Sequence, residues 1–145
     1  MNSLFDDPSL EFLRECVLLS RRWRIKLDER LRSSGMTMAR ATVLFWVNEL
    51  PEGATQRELA ELVGIEGPTL VRLLHALEEQ GLIERVASTS DRRAKGIRLT
   101  EAARPVLDDI SRASAELSQE RLSKLERRRL PSAIRLAKEA RAALD

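Results

Sequence analysis

Between Thr55 and Leu99 the chain spells out two short helices, a turn and a β-hairpin with a basic tip, and few folds accommodate that order of parts. Thr55 and Glu58 stand at capping-box spacing, in which each side chain satisfies a backbone N–H that the first helical turn leaves without a partner. Gly64 offers the positive φ that ends such a helix. A second helix starts at Pro68, because proline fits a first-turn position whose N–H has no helical acceptor, and Gly81 closes it. The pair is expected to run for about two and about four turns.

In the second helix Leu70, Leu74 and Leu77 recur at i, i+4 and i+7, a narrow stripe that must pack inward. The opposite face then carries Pro68, Thr69, Arg72 and His75. A guanidinium exposed in the N-terminal half of a helix suits bidentate donation to O6 and N7 of guanine in a major groove, so Arg72 is the expected principal base reader. Its plainer alternative is a surface residue paired with Glu78 or Glu79. His75 faces the same way, either donating to a phosphate or simply exposed.

After Gly81, Leu82 to Val86 reads as a strand and Ile97 to Leu99 as its return. From Arg85 to Arg98 five basic residues, Arg85, Arg92, Arg93, Lys95 and Arg98, face the single acid Asp91, a net of +4 in a chain whose total is +2. An arginine at a hairpin tip reaches into a narrow A·T-rich minor groove, where the negative potential is enhanced. Arg92, Arg93 and Lys95 are therefore the candidate wing contacts, and Asp91 is placed to orient the Arg93 guanidinium by an ion pair. The parts make a winged helix-turn-helix, which implies double-stranded DNA as partner; the alternative is a winged-helix interaction module whose basic surface binds an acidic protein.

The flanks are helical. Residues 9–33 end at Ser33, Ser34 and Gly35, with Trp23, Leu27 and Leu31 four apart and Leu13, Val17 and Leu18 extending the apolar surface. Thr37 caps the next helix, in which Val43, Leu44, Trp46 and Val47 supply core before Pro51 and Gly53 break it. Thr100 is expected to cap a helix striped by Val106, Leu107, Ile110, Ala113 and Leu117. A last helix offers Leu130, Ile134, Ala137, Ala140 and Leu144. Pro131 would cost ~3 kcal/mol in a helix interior, so that helix must begin near Arg128. The arginines there oppose the helix dipole and call for compensation by a local acid or a partner.

These flanks carry more apolar stripe than the central module can cover, which implies a homodimer. A two-fold dimer sets two recognition helices ~34 Å apart in successive major grooves of an inverted repeat. The expected fold is mainly α with a small β-hairpin wing. A winged helix-turn-helix DNA-binding lobe spans about 37–100 between dimerisation helices at about 8–34 and 101–145, all within a single domain, 1–145.

Composition narrows the function classes. With 43% hydrophobic and 33% charged residues the chain is a globular type rather than a disordered one. No window approaches the ~20 apolar residues of a membrane span, and the MNSLFDDPSLEF start lacks a signal-peptide pattern, so cytoplasmic residence and no membrane partner are expected. One cysteine and one histidine exclude a disulfide framework and an ordinary zinc site, and neither a phosphate loop nor a nucleophile motif is present; no cofactor, no metal and no enzymatic activity are expected.

The run from Gly35 to Leu99, above all GIEGPTLVRLLHALEEQGLIERVASTSDRRAKGIRLTE, resembles the MarR family and within it the SlyA branch. The resemblance implies a dimer with interlocked terminal helices that represses or activates genes from pseudopalindromic promoter sites. It maps the recognition helix onto Glu66 to Gln80, with Pro68, Thr69 and Arg72 at the DNA, and the wing motif onto Asp91 and Arg93. It further implies release of DNA by a small, often aromatic and anionic effector bound between the dimer helices and the DNA-binding lobe, with Trp23 and Trp46 as candidate pocket residues. A peroxide-sensing branch uses a first-helix cysteine assisted by tyrosines. This chain has Cys16 but no tyrosine, and Cys16 is expected to be a buried apolar residue.

Overall fold

Asp7 opens the first helix: its carboxylate accepts the Ser9 N–H at 2.7 Å, and Pro8 occupies the first turn. The computed structural model describes residues 7–144, so the N-terminal stretch read for a targeting signal lies partly outside the described residues. Helix α1 (Pro8–Leu31) runs into a short 3-10 turn, Arg32–Ser34, and stops at Gly35 with φ 71°. Helix α2 (Met38–Glu49) is capped twice. Thr37 Oγ1 accepts the Arg40 N–H at 3.3 Å, and Asp28 of α1 reaches across to accept the Met38 N–H at 2.8 Å. That second cap holds the Asp28 carboxyl below the usual carboxylate range, with Arg32 adding to the effect.

The expected central module forms. Helix α3 (Gln56–Val63) carries the complete Thr55–Glu58 capping box and ends at Gly64, φ 64°. Helix α4 (Gly67–Glu79) starts one residue ahead of Pro68 and is followed by Gly81, φ 69°. Strands β2 (Ile83–Ala87) and β3 (Lys95–Leu99) pair antiparallel, Ile83 opposite Leu99 and Ala87 opposite Lys95. A third strand, β1 (Ala54–Thr55), joins β3 on its other side, giving the order β1-β3-β2. Two residues are too few to show an alternating pattern, so this strand has no signature in the sequence.

Helix α2 lies against α1, α3, α4 and β3 and is the hub of the core. Val43, Leu44, Leu59, Leu70, Leu74, Leu77 and Ile83 are fully buried, and the last two turns of α1 add Leu27 and Leu31. The N-terminal part of α1 is different: Leu10, Leu13, Val17, Leu18 and Leu19 are exposed. Cys16 shares that environment and is exposed, not buried as expected, because the side chains around it within one chain have no covering neighbour.

Helix α5 (Ala103–Leu122) begins three residues after Thr100, which does not cap it as expected. The Thr100 hydroxyl donates instead to the Gly81 carbonyl, and its N–H donates to Leu82 O at 3.0 Å, so this residue fastens the end of β3 to the turn after α4. Backbone contacts divide the chain into two compact units between Ala115 and Glu116. In the second unit α6 (Leu130–Ala142) follows a 3-10 turn, Arg127–Arg129, and Pro131 sits in its first turn as required. Arg128 meets Glu126 at 3.5 Å, which supplies the acid that the helix start called for. Leu130, Ile134, Leu136 and Leu144 are exposed. Among the described residues no helix is long and apolar enough to cross a membrane.

Candidate nucleic-acid interface

Folding of α4 onto the core buries Leu70, Leu74 and Leu77 and leaves Pro68, Thr69, Arg72 and His75 exposed on the other side. The residues that would make Arg72 an ordinary surface partner are engaged elsewhere. Glu78 lies 3.9 Å from the Arg85 Nε, and Glu79 lies 3.6 Å from the His75 Nδ1. Among the described residues no carboxylate pairs with Arg72, so its guanidinium keeps its donors for a ligand.

The hairpin sorts its five cations into two groups. Arg98 is held by Glu84 at 2.7 and 2.9 Å and by Glu52 at 3.0 Å, which raises its affinity for its proton still further, and Arg85 faces Glu78. These two are locally neutralised, so the net +4 read from the sequence overstates the field of the hairpin. Arg92, Arg93 and Lys95 are exposed, with no ion pair among the described residues, and they cluster at the tip. Asp91 shapes this tip differently from expectation. Its Oδ1 accepts the backbone N–H of Arg93 at 2.8 Å rather than the guanidinium, and its carbonyl accepts the Ala94 N–H at 3.1 Å. A short carboxylate reaches the N–H two residues on without ordering a long side chain, so the local turn wins over the ion pair.

The loop between β2 and β3 is tied down by bonds that the sequence does not announce. Thr89 donates its N–H to Gly53 O at 3.4 Å and its hydroxyl to Glu52 O at 3.1 Å. The Ser90 hydroxyl donates to Glu58 Oε2 at 3.0 Å. That same oxygen accepts the Thr55 N–H at 2.6 Å and the Thr55 hydroxyl at 2.8 Å, so one carboxylate caps α3 and anchors the wing. The signal available in sequence was Gly96, a glycine inside a strand, which marks a close backbone approach; here the approach is to Gly53.

With the exposed helix face and the basic wing in place, the comparisons decide the family. The MarR family profile matches residues 34–94. The transcriptional regulator PA3341 is 39% identical, over 92% of this chain and 97% of that one, with a TM-score of 0.81. The chain belongs to the MarR family. Two more distant structures share its fold: CouR from Rhodococcus jostii RHA1 bound to p-coumaroyl-CoA (24% identity, 99% of this chain and 95% of that one, TM-score 0.75) and the S. aureus MepR–DNA complex (23%, 92% and 98%, 0.73).

Two clefts of this MarR-family chain lie within its first unit. One, of 690 Å³, lies among Leu50, Glu52, Glu84, Arg98, Glu101 and Arg104; the other, of 480 Å³, lies among Phe45, Asn48, Thr100, Arg104, Leu107 and Ser111. Neither is lined by Trp23 or Trp46. Trp46 instead packs edge-on against Phe45, ring centroids 5.3 Å apart. Each charged side chain of the larger cleft is ion-paired within it, Arg98 with Glu84 and Glu52, and Arg104 with Glu101 at 3.6 Å.

The wing anchor has a pH signature. The Thr55 N–H, the Thr55 hydroxyl and the Ser90 hydroxyl hold the Glu58 carboxyl below its ordinary value of 4.5. A carboxyl depressed in the folded state stabilises above its unfolded pKa, and that contribution is lost as pH falls from 4.5 through the lower folded value. The melting-temperature difference between the wild type and Glu58→Gln should therefore be present at pH 7 and shrink through this acid window. A difference constant with pH would contradict the anchor.

Proposed function

We propose that the chain is a sequence-specific DNA-binding transcriptional regulator that works as a homodimer on a pseudopalindromic site, its whole length 1–145 acting as one MarR-type domain. The observation that carries this reading is the coincidence of Arg72 on the open face of α4 with Arg92, Arg93 and Lys95 at the wing tip, all four exposed and without an ion pair among the described residues. The wing cations neutralise phosphates and release counterions, Arg72 reads a base edge and Arg93 reads groove width. Pro68, Thr69 and His75 line the same helix face, and Asp91 fixes the turn from which Arg93 projects. The MepR–DNA complex, a shared fold, supports DNA as partner.

The exposed apolar residues of α1 and α6 support burial against a second copy. Two-fold pairing makes the site an inverted repeat. The Asp91-to-Lys95 wing followed by Leu99, Thr100 and Glu101 supports the SlyA branch. The CouR complex supports relief by a small molecule, which would act by favouring a DNA-incompetent spacing of the lobes. The site of action is the cytoplasm, where the promoters are.

Titration of labelled duplexes over a range of salt tests the reading. The logarithm of affinity should fall linearly with that of salt, and Arg93→Ala should reduce the slope by about 1. An unchanged slope would remove Arg93 from the interface. Capture of an acidic protein with no dependence on DNA sequence would instead favour the interaction-module alternative.

A further inference from the structure

Behind Pro68, which opens α4, the exposed face of the helix carries one aliphatic side chain, Val71. Pro68, Val71, Arg72 and His75 fall at i, i+3, i+4 and i+7, the spacing of a single helix face, and Val71 is 42% exposed while the leucines behind it are fully buried. From Gly67 to Arg72 the helix carries no acidic side chain, and a Cβ built on Gly67 would meet nothing within 4 Å, so the approach to this end is open. The acids of the far end, Glu78 and Glu79, are turned to Arg85 and His75. An aliphatic side chain on an otherwise donor-rich face needs an apolar group in its ligand. In the major groove the apolar group that base edges offer is the C5-methyl of thymine.

Resting on the DNA-binding reading above, we propose that Val71 is a specificity-determining residue that packs against a thymine methyl beside the base pair met by Arg72. Val71 and Arg72 are consecutive on the helix, which places them on neighbouring base pairs of one strand or its complement. Valine suits the task because its branched side chain has one strongly preferred rotamer in a helix and loses little freedom on contact.

Deoxyuridine lacks only the C5-methyl, so it isolates the contact. On a duplex selected by the full-length protein, each thymine of the half-site is replaced singly by deoxyuridine. The wild type should lose about fourfold in affinity per half-site at one position, the effect of burying one methyl. In Val71→Ala that loss should vanish at that position only, while the guanine preference set by Arg72 survives. A deoxyuridine effect that persists in Val71→Ala, or the absence of any such effect in the wild type, overturns the proposal while leaving DNA binding intact. Failure of the protein to select any duplex overturns the DNA-binding reading itself, and this assignment with it. Val71 is outside the core, and unchanged melting of Val71→Ala confirms that the comparison is between folded proteins.

Discussion

Arg72→Ala weakens binding to the selected site and flattens preference at one base pair of each half-site by ~1–3 kcal/mol, the usual discrimination of a bidentate guanine contact. The expectation rests on two features. The side chain stands on the face of α4 opposite Leu70, Leu74 and Leu77, and no carboxylate among the described residues pairs with it, the acids of the far end of α4, Glu78 and Glu79, lying beside Arg85 and His75. A guanidinium already paired would have to break that pair on binding; this one does not. Arg72→Lys should fail to rescue, because an ammonium cannot present the planar fork that spans O6 and N7. Anisotropy titrations on duplexes with each base pair varied confine this loss to one base pair, whereas Arg93→Ala should weaken binding and dull the preference for the A·T-rich stretch that narrows the minor groove. Unaltered preference at every position in Arg72→Ala would remove it as the reader.

Gly96→Ala should destabilise the chain and displace the wing. A Cβ at this position would stand 2.2 Å from Gly53 O, 2.5 Å from Gly53 C and 2.6 Å from Gly53 Cα, all backbone atoms that no rotamer change can move. Gly53 itself has φ 81° and is closed in by Ala87 O and Thr89 Cγ2, each 3.1 Å from its own ideal Cβ, so it cannot retreat toward the wing. Relief therefore requires β1 to part from β3, at a cost on the order of 1–3 kcal/mol or more. Thr89 loses its hold on Gly53 in the process, so DNA affinity should fall together with melting temperature. Gly67→Ala is the contrasting case: with open space around its Cβ and an ordinary helical φ, it should be neutral or gain up to ~1 kcal/mol. Equal melting temperatures for Gly96→Ala and the wild type would contradict the packing described.

Features set by neighbours in the chain were legible in the sequence. The Thr55–Glu58 box, the Leu70, Leu74, Leu77 stripe, Pro131 in a first turn and the positive φ of Gly35, Gly64 and Gly81 each depend on residues within a few positions, where spacing determines geometry. Contacts across the fold were not legible. Arg98 finds Glu52 46 positions away, Ser90 finds Glu58 across 32, and Thr100 turns to Gly81 across 19 rather than to its own helix. Asp91 was misassigned for the opposite reason: the ion pair inferred from its spacing to Arg93 lost to a nearer backbone N–H. Cys16 was judged by the burial habits of its residue type, and the part of α1 that carries it is uncovered in a single chain.

Selection of binding sites from random duplexes by the purified full-length protein at physiological salt tests the central claim most directly, since affinity at low salt is dominated by phosphate contacts. The account predicts enrichment of an inverted repeat whose half-sites lie one helical turn, ~34 Å, apart. Enrichment of no sequence, with only weak salt-sensitive binding, would contradict it.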